Sequence, residues 1–310
     1  MSNSAVVGTG PVSPLRAHKL RLVEWALNKF FLLCALLSVV TTAAVIVILA
    51  VETISFFGEV SPIDFLFGTR WTPLLEPKHY GILPLLSGTF LIVLGSSLVA
   101  LPIGVACAVY LSEYAGERTR SIVKPVLEVL AGIPTVVYGY FALTAVTPAL
   151  RTVFPETQIF NAASAAIVVG IMVLPMVASL CDDALRSVPD SLRQGAYSLG
   201  ATSFEVSARV VIPAALSGIF AAFVLAVSRA IGETMAVTLA AGATPNLTLN
   251  PLESIQTMTA YIVQVSLGDT PAGELTYKTL FAVAAVLFTL TLVLNLIASK
   301  VMNKYQEVYE

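Results

Sequence analysis

The sequence predicts an all-α, polytopic membrane protein with six transmembrane helices. Three observations carry that prediction. Charged residues make up 12% of the 310 residues and apolar ones 57%, whereas a soluble domain carries about 25% charge. The charges are also clustered: residues 30–51, 83–111, 162–181 and 280–299 hold none, and each run is near or above the ~20 residues that span a hydrocarbon core. Two further apolar runs, 125–148 and 214–241, contain isolated charges but are long enough to cross. This pattern excludes a soluble enzyme, a nucleic-acid binder and a disordered chain.

Taken in order, residues 1–29 read as an N-terminal tail whose first 15 residues are rich in Ser, Gly, Pro and Val without periodicity. Residues 30–51 form the first span, too long and too far from Met1 for a signal peptide, and so expected to stay as a helix. Residues 52–81 form an outer loop with the turn-rich stretch Thr72-Pro73-Leu74-Leu75-Glu76-Pro77, a cap or a rest for an external partner. The second span, about 83–111, carries Pro84 and Pro102. In the third, about 125–148, Gly132, Pro134 and Gly139 predict a packing kink, and Glu128 is placed to pair with Lys124 one turn earlier. The fourth, fifth and sixth spans follow at about 162–181, 214–241 and 280–299.

Orientation comes from the basic residues. With the N-terminus inside, the inner segments hold twelve: Arg16, Lys19, Arg21, Lys29, Arg118, Arg120, Lys124, Arg186, Arg193, Arg209, Lys300 and Lys304. The outer segments hold four, Arg70, Lys78, Arg151 and Lys278, and Arg229 lies inside a span. That is a positive-inside bias, and it predicts two cytoplasmic termini. Cys34, Cys107 and Cys181 lie in or at the ends of apolar runs without metal-ligand spacing, and read as small apolar residues.

The inner segment 182–213 has the most specific pattern. Pro189 suits the first turn of a helix. Leu192, Ala196 and Leu199 then share one face, Gly200 ends the helix where a left-handed residue is needed, and Thr202-Ser203-Phe204-Glu205 fits a capping box that opens a second helix. That helix runs through Val206, Val210 and Val211 to Ile212, and Pro213 marks entry to the fifth span. The local physics fits an ordinary helical connection as well as a docking element.

Arg229 and Glu233 lie four residues apart in the fifth span, one helical turn. Arg229 stands 16 residues past Pro213, about 24 Å along the axis, in the middle to outer part of the span. An Arg at such depth costs about 2.5–3.5 kcal/mol on insertion scales and usually faces a bundle interior or a water-filled path. Two readings stand: an internal ion pair that staples helices, or an anion path in which the guanidinium fork receives oxyanion oxygens while Glu233 holds Arg229 when the site is empty.

The spacing Gln194-Gly195-Ala196, Gly200, then Val210, Ile212 and Pro213 resembles the EAA loop of ABC importer permeases, with Gln194 in place of its carboxylate and Gly195 in place of an alanine. The stretch from Ser228 to Val237, with Gly232-Glu233-Thr234-Met235-Ala236-Val237 at its centre, is similar to the PstC-type permease of the phosphate-specific ABC importer. Leu130-Ala131-Gly132-Ile133-Pro134-Thr135 and Leu101-Pro102-Ile103-Gly104-Val105 also resemble family segments. The resemblance implies a type I, MetI-like permease core over 82–310, and a loop, 182–213, that docks in a cytoplasmic ATPase through the elbow around Gly200, Thr202 and Glu205. It implies a PstA-type permease partner, an ATPase dimer and an extracytoplasmic phosphate-binding protein, in a bacterial inner or plasma membrane. It places phosphate movement on Arg229 and Glu233. No cofactor is expected on this chain: it has no Gly-Lys dipeptide and so no phosphate-cradling P-loop, and ATP and Mg belong to the ATPase. The alternatives left open are another oxyanion such as sulfate, or a proton-coupled secondary transporter that uses Glu233.

Overall fold

A computed structural model describes residues 14–271 and 273–305. The expected tail over residues 1–13 lies outside the described residues. Two units divide the chain, residues 1–51 and 52–310. The first is built on α1 (Pro14–Phe57), one helix that begins well before the apolar run. Its stretch Glu24–Phe57 is long and apolar enough to cross a membrane, with exposed side chains such as Phe31, Leu37 and Val40 all round, as suits a helix that meets lipid or other helices.

The second unit opens with the last turns of α1 and with α2 (Pro62–Phe67). Phe56, Phe65, Trp71 and Tyr261 meet edge to face, at 5.4 Å between Phe56 and Phe65 and 4.9 Å between Trp71 and Tyr261. The segment expected as an outer loop, 52–81, is therefore a packed cap. An isolated bridge pairs Trp71 with Tyr80, and among the described residues there is no strand.

Two long helices form the centre, α3 (Leu83–Val109), prolonged by a π turn over Tyr110–Tyr114, and, after the segments described next, α7 (Ala162–Arg186). They pack through small residues. A Cβ on Gly104 would lie 2.7 Å from Val177, and one on Gly170 would lie 2.8 Å from Val99, so the close approach of the two backbones requires glycine. Where lipid tails are as apolar as leucine, such approach is what holds helices together. Asn161 caps α7, its side-chain oxygen accepting from Ser164 N–H at 2.7 Å.

Between them the expected kink of the third span is a sharp corner. Helix α4 (Glu117–Ala131) ends at Gly132-Ile133-Pro134; α5 (Thr135–Phe141), a π turn over Ala142–Val146 and α6 (Thr147–Val153) continue at 88° to it. Pro134 forces its neighbour out of the helical region, and the Tyr138 hydroxyl fixes the corner by donating to the Leu130 carbonyl at 2.9 Å. The expected span 125–148 thus falls across this corner, and the two arms, 117–131 and 135–153, are long and apolar enough to cross only when taken together. The expected Glu128–Lys124 pair is not formed: Lys124 reaches Asp183 at 2.9 Å and Asp182 at 3.6 Å on α7, beside Arg120, which reaches Asp182 at 2.8 Å.

After α7 come α8 (Asp190–Ser198), α9 (Ser203–Val206), a π turn over Ser207–Val211, α10 (Ile212–Ala214) and α11 (Leu216–Ile231), with a 68° bend where α11 begins. Then follow α12 (Met235–Ala241), α13 (Met258–Leu267) and α14 (Leu275–Tyr305). The fifth span, expected as one helix over 214–241, is therefore broken at Gly232-Glu233-Thr234. Two π turns share a cause. Thr147 N–H bonds to Ala142 and Ile212 N–H to Ser207, and each donor precedes a proline, Pro148 or Pro213. Proline lacks the N–H for the usual bond and its ring crowds the carbonyl four residues back, so the turn widens by one residue instead. Among the described residues four helices are long and apolar enough to cross a membrane, and the spans number six if each bent pair counts as one.

Candidate functional site

The segment 182–213 folds as an elbow, with one change from the sequence reading. Pro189 is extended, at φ −57° and ψ 137°, and stands just ahead of α8 rather than in its first turn. Gly200 has φ +85°, the left-handed conformation that ends α8. Thr202 then opens α9 with a complete capping box: its hydroxyl accepts from Glu205 N–H at 3.3 Å, and the Glu205 carboxylate accepts from Thr202 N–H at 3.0 Å. These bonds from the Thr202 backbone, and then from its hydroxyl, hold the Glu205 carboxyl below the usual carboxylate range.

None of the residues of α8 is buried. Gln194 and Gly195 are exposed, while Ala196 packs partly against the main core. On the other side of the elbow Val210 and Ile212 are half-buried and Pro213 is exposed. Of the apolar face read in the sequence, Ala196 packs on the core while Leu192 is 37% and Leu199 91% exposed; beyond the elbow Phe204 is 73% exposed. Both large apolar side chains, Leu199 and Phe204, stand at the tip of a well-capped elbow.

Arg229 and Glu233 occupy opposite sides of a helix break. Arg229 lies in the last turn of α11, about 20 Å from its start, is exposed, and has its Nη2 4.0 Å from Met172 Sδ on α7. Glu233 is 5% exposed. Its Oε1 accepts from Ala236 N–H at 3.3 Å and its carbonyl accepts from the Thr259 hydroxyl at 2.8 Å. Among the described residues no carboxylate forms an ion pair with Arg229. The expected Arg229–Glu233 pair is corrected accordingly. A continuous helix would have set them one turn apart on one face, but the break turns Glu233 onto the N-terminal end of α12, where its side chain accepts from the Ala236 N–H.

Two further polar groups lie outside the sequence reading. Ser228, beside Arg229, donates to Asn295 on α14 at 3.2 Å; an Asn in an otherwise apolar span was the available signal. Arg193 joins α8 to the body of the protein, and nothing in its spacing distinguishes it from a solvated surface charge.

Residues 100–304 match the family of binding-protein-dependent transport system inner membrane components. The chain belongs to that family. Among relatives of this family member, the probable ABC transporter permease protein YqgH of Bacillus subtilis is 35% identical over 260 residues, covering 83% of this chain and 84% of that one. The phosphate transport system permease protein PstC of Haemophilus influenzae is 31% identical over 301 residues, covering 89% and 91%. A solved bacterial ABC transporter that imports the acidic polysaccharide alginate superposes with a TM-score of 0.64 at 15% identity, covering 94% of this chain and 100% of that one. The MetNI methionine ABC transporter, inward facing, gives 0.55 at 16% identity, covering 73% and 95%. These two likenesses establish the fold, which is that of an ABC importer permease. As a member of this family the chain is a transport component of a membrane, not an enzyme.

Proposed function

We propose that this family member is the PstC-type permease of an ATP-driven phosphate importer. With a related PstA-type permease it forms the path that moves inorganic phosphate into the cell by alternating access. The single observation that carries the reading is Arg229: a permanent positive charge at membrane depth, at a helix break, with no carboxylate holding it among the described residues. A guanidinium so placed offers a fork to two oxyanion oxygens, and its desolvation cost is offset when the anion arrives. Glu233, seated on α12, leaves that fork open and sets a negative charge nearby that favours release of the anion once the path opens inward.

The elbow at Gly200, with Leu199 and Phe204 exposed, fits a cleft in a cytoplasmic ATPase dimer that holds the ATP and Mg. The outer cap around Trp71 receives an extracytoplasmic phosphate-binding protein. The excess of basic residues on the inner segments supports a bacterial inner or plasma membrane protein with both termini facing the cytoplasm.

Labelled-phosphate uptake in cells lacking the chain tests the reading. Arg229→Gln is expected to leave abundance normal and abolish uptake, while Glu233→Gln keeps an oxygen for the Ala236 N–H and isolates the role of the charge. Uptake that survives in Arg229→Gln, that persists without the ATPase, or that excess sulfate suppresses and excess phosphate does not, overturns the assignment.

A further inference from the structure

We infer that Arg193 is a positioning residue, the strut that joins the coupling helix α8 to the two central helices of the permease. The inference rests on reading the chain as an ATP-driven permease and identifies which side chain carries the movement. Helix α8 buries none of its residues, so apolar packing alone holds it weakly. At one end it follows the short link Ser187-Val188-Pro189, and at the other it ends at Gly200. A helix tethered only by such ends would pivot when pushed, and its movement would dissipate in the links.

Arg193 supplies the missing attachment. Its Nη2 donates to the Leu185 carbonyl in the last turn of α7 at 2.9 Å and to Glu113 Oε1 at 3.1 Å. Its Nη1 donates to the Val188 carbonyl at 2.6 Å and to Asp190 Oδ1 at 3.1 Å. The Arg193 side chain is 16% exposed and that of Glu113 8%, so this is a sheltered, charge-assisted cluster rather than a screened surface pair. Asp190 belongs to α8 itself and adds nothing between elements, and Val188 lies in the link; Leu185 and Glu113 belong to the body.

Glu113 sits in the π turn that prolongs α3, and the Ser112 hydroxyl steadies it with a bond to Oε1 at 3.0 Å. One guanidinium on α8 thus grips the inner ends of both α3 and α7, the pair that glycines press together along the seam. Thirteen residues back along α7 from Leu185, about 20 Å, Met172 touches Arg229. A displacement of α8 is delivered to the helix against which the membrane arginine rests. Lysine cannot replace this fork, since an ammonium is a point charge and does not bridge a carboxylate and two carbonyls in one plane.

The test uses the complete transporter, this chain with its partner permease, ATPase and binding protein, reconstituted in vesicles with ATP hydrolysis and phosphate uptake measured together. For Arg193→Gln, uptake per ATP hydrolysed is expected to fall roughly tenfold, the scale of removing one charge-assisted bond between elements, with hydrolysis retained. Glu113→Gln, nearly isosteric, is expected to lower the ratio in the same direction, and the double variant no further than the worse single one. Arg193→Lys is expected to fall between wild type and Arg193→Gln. An unchanged ratio in both single variants overturns the inference. So do independent, additive losses, or uptake and hydrolysis falling in parallel with the amount of assembled complex, which would make the cluster a staple. A wild-type complex with no ATP-dependent uptake would instead overturn the transport reading itself, and the strut with it.

Discussion

Replacing Gly200 by alanine isolates the conformation of the elbow from its contacts. Gly200 has φ +85°, and a Cβ built there meets nothing within 4 Å. The steric term is therefore absent, and only the backbone term remains, about 1–2 kcal/mol for an L-residue in the left-handed region. That corresponds to a factor of about 5–30 in the ratio of formed to unformed elbow. Gly195 is the matched control: it too meets nothing within 4 Å but lies inside α8, where alanine is favoured by about 0.5–1 kcal/mol. Hydrogen exchange of the amides of α8 and α9 in the assembled transporter measures the elbow, and ATP-driven uptake measures its use. Gly200→Ala is expected to speed exchange by roughly the same 5–30-fold and to lower uptake, with abundance unchanged; Gly195→Ala is expected to slow exchange in α8. Equal exchange in wild type and Gly200→Ala would refute the strain at this position, because no compensating contact stands near the added methyl.

Other outcomes follow from the same geometry. Gly170→Leu drives a side chain into Ser96 and Val99, whose atoms already lie 3.0 and 2.8 Å from a bare Cβ; loss of the folded protein from the membrane is expected, read by its abundance. Asp182→Ala removes a carboxylate that is 1% exposed, and with it the partner of Arg120 and one partner of Lys124, costing about 3 kcal/mol; a lowered thermal midpoint in detergent measures it. The capping box lowers the pKa of Glu205 from its ordinary value of 4.5, so its contribution is present above that value and lost as pH falls through the depressed one. Amide exchange over α9 should therefore rise with acid beyond its intrinsic pH dependence only below about pH 4.5, and Glu205→Gln should remove that extra rise.

What was legible in the sequence and what was not divide along physical lines. Four uncharged runs became uninterrupted helices because burial in lipid demands both apolar side chains and satisfied backbone groups. The elbow was legible in detail, since Gly200, Thr202 and Glu205 act through local bonds. The first break was legible as a kink at Gly132 and Pro134 but not in its 88° angle, and the second was not legible, because the sequence there holds no proline and the helical period runs on through Gly232-Glu233-Thr234 while the backbone turns. The second break matters most: spacing alone put Arg229 and Glu233 on one face, but the 233–234 step hands Glu233 to α12 and leaves Arg229 beside Met172. Arg193 was invisible for a different reason. Spacing reports only its pair with Asp190 on the same helix; the partners that tie it to the rest of the protein are backbone carbonyls and a glutamate 80 positions earlier, and no periodicity reports a bond of that kind.

The widened turns ahead of Pro148 and Pro213 have a consequence for the lineage of such chains. Each holds one residue more than the helix around it needs, so everything beyond is rotated by roughly 100°. A lineage that replaced Pro213 with alanine would no longer need the extra residue, and losing one position among 207–211 would restore the original facing of α11, Arg229 included. Single-residue gaps between relatives should therefore gather at these two places and coincide with the loss of the following proline.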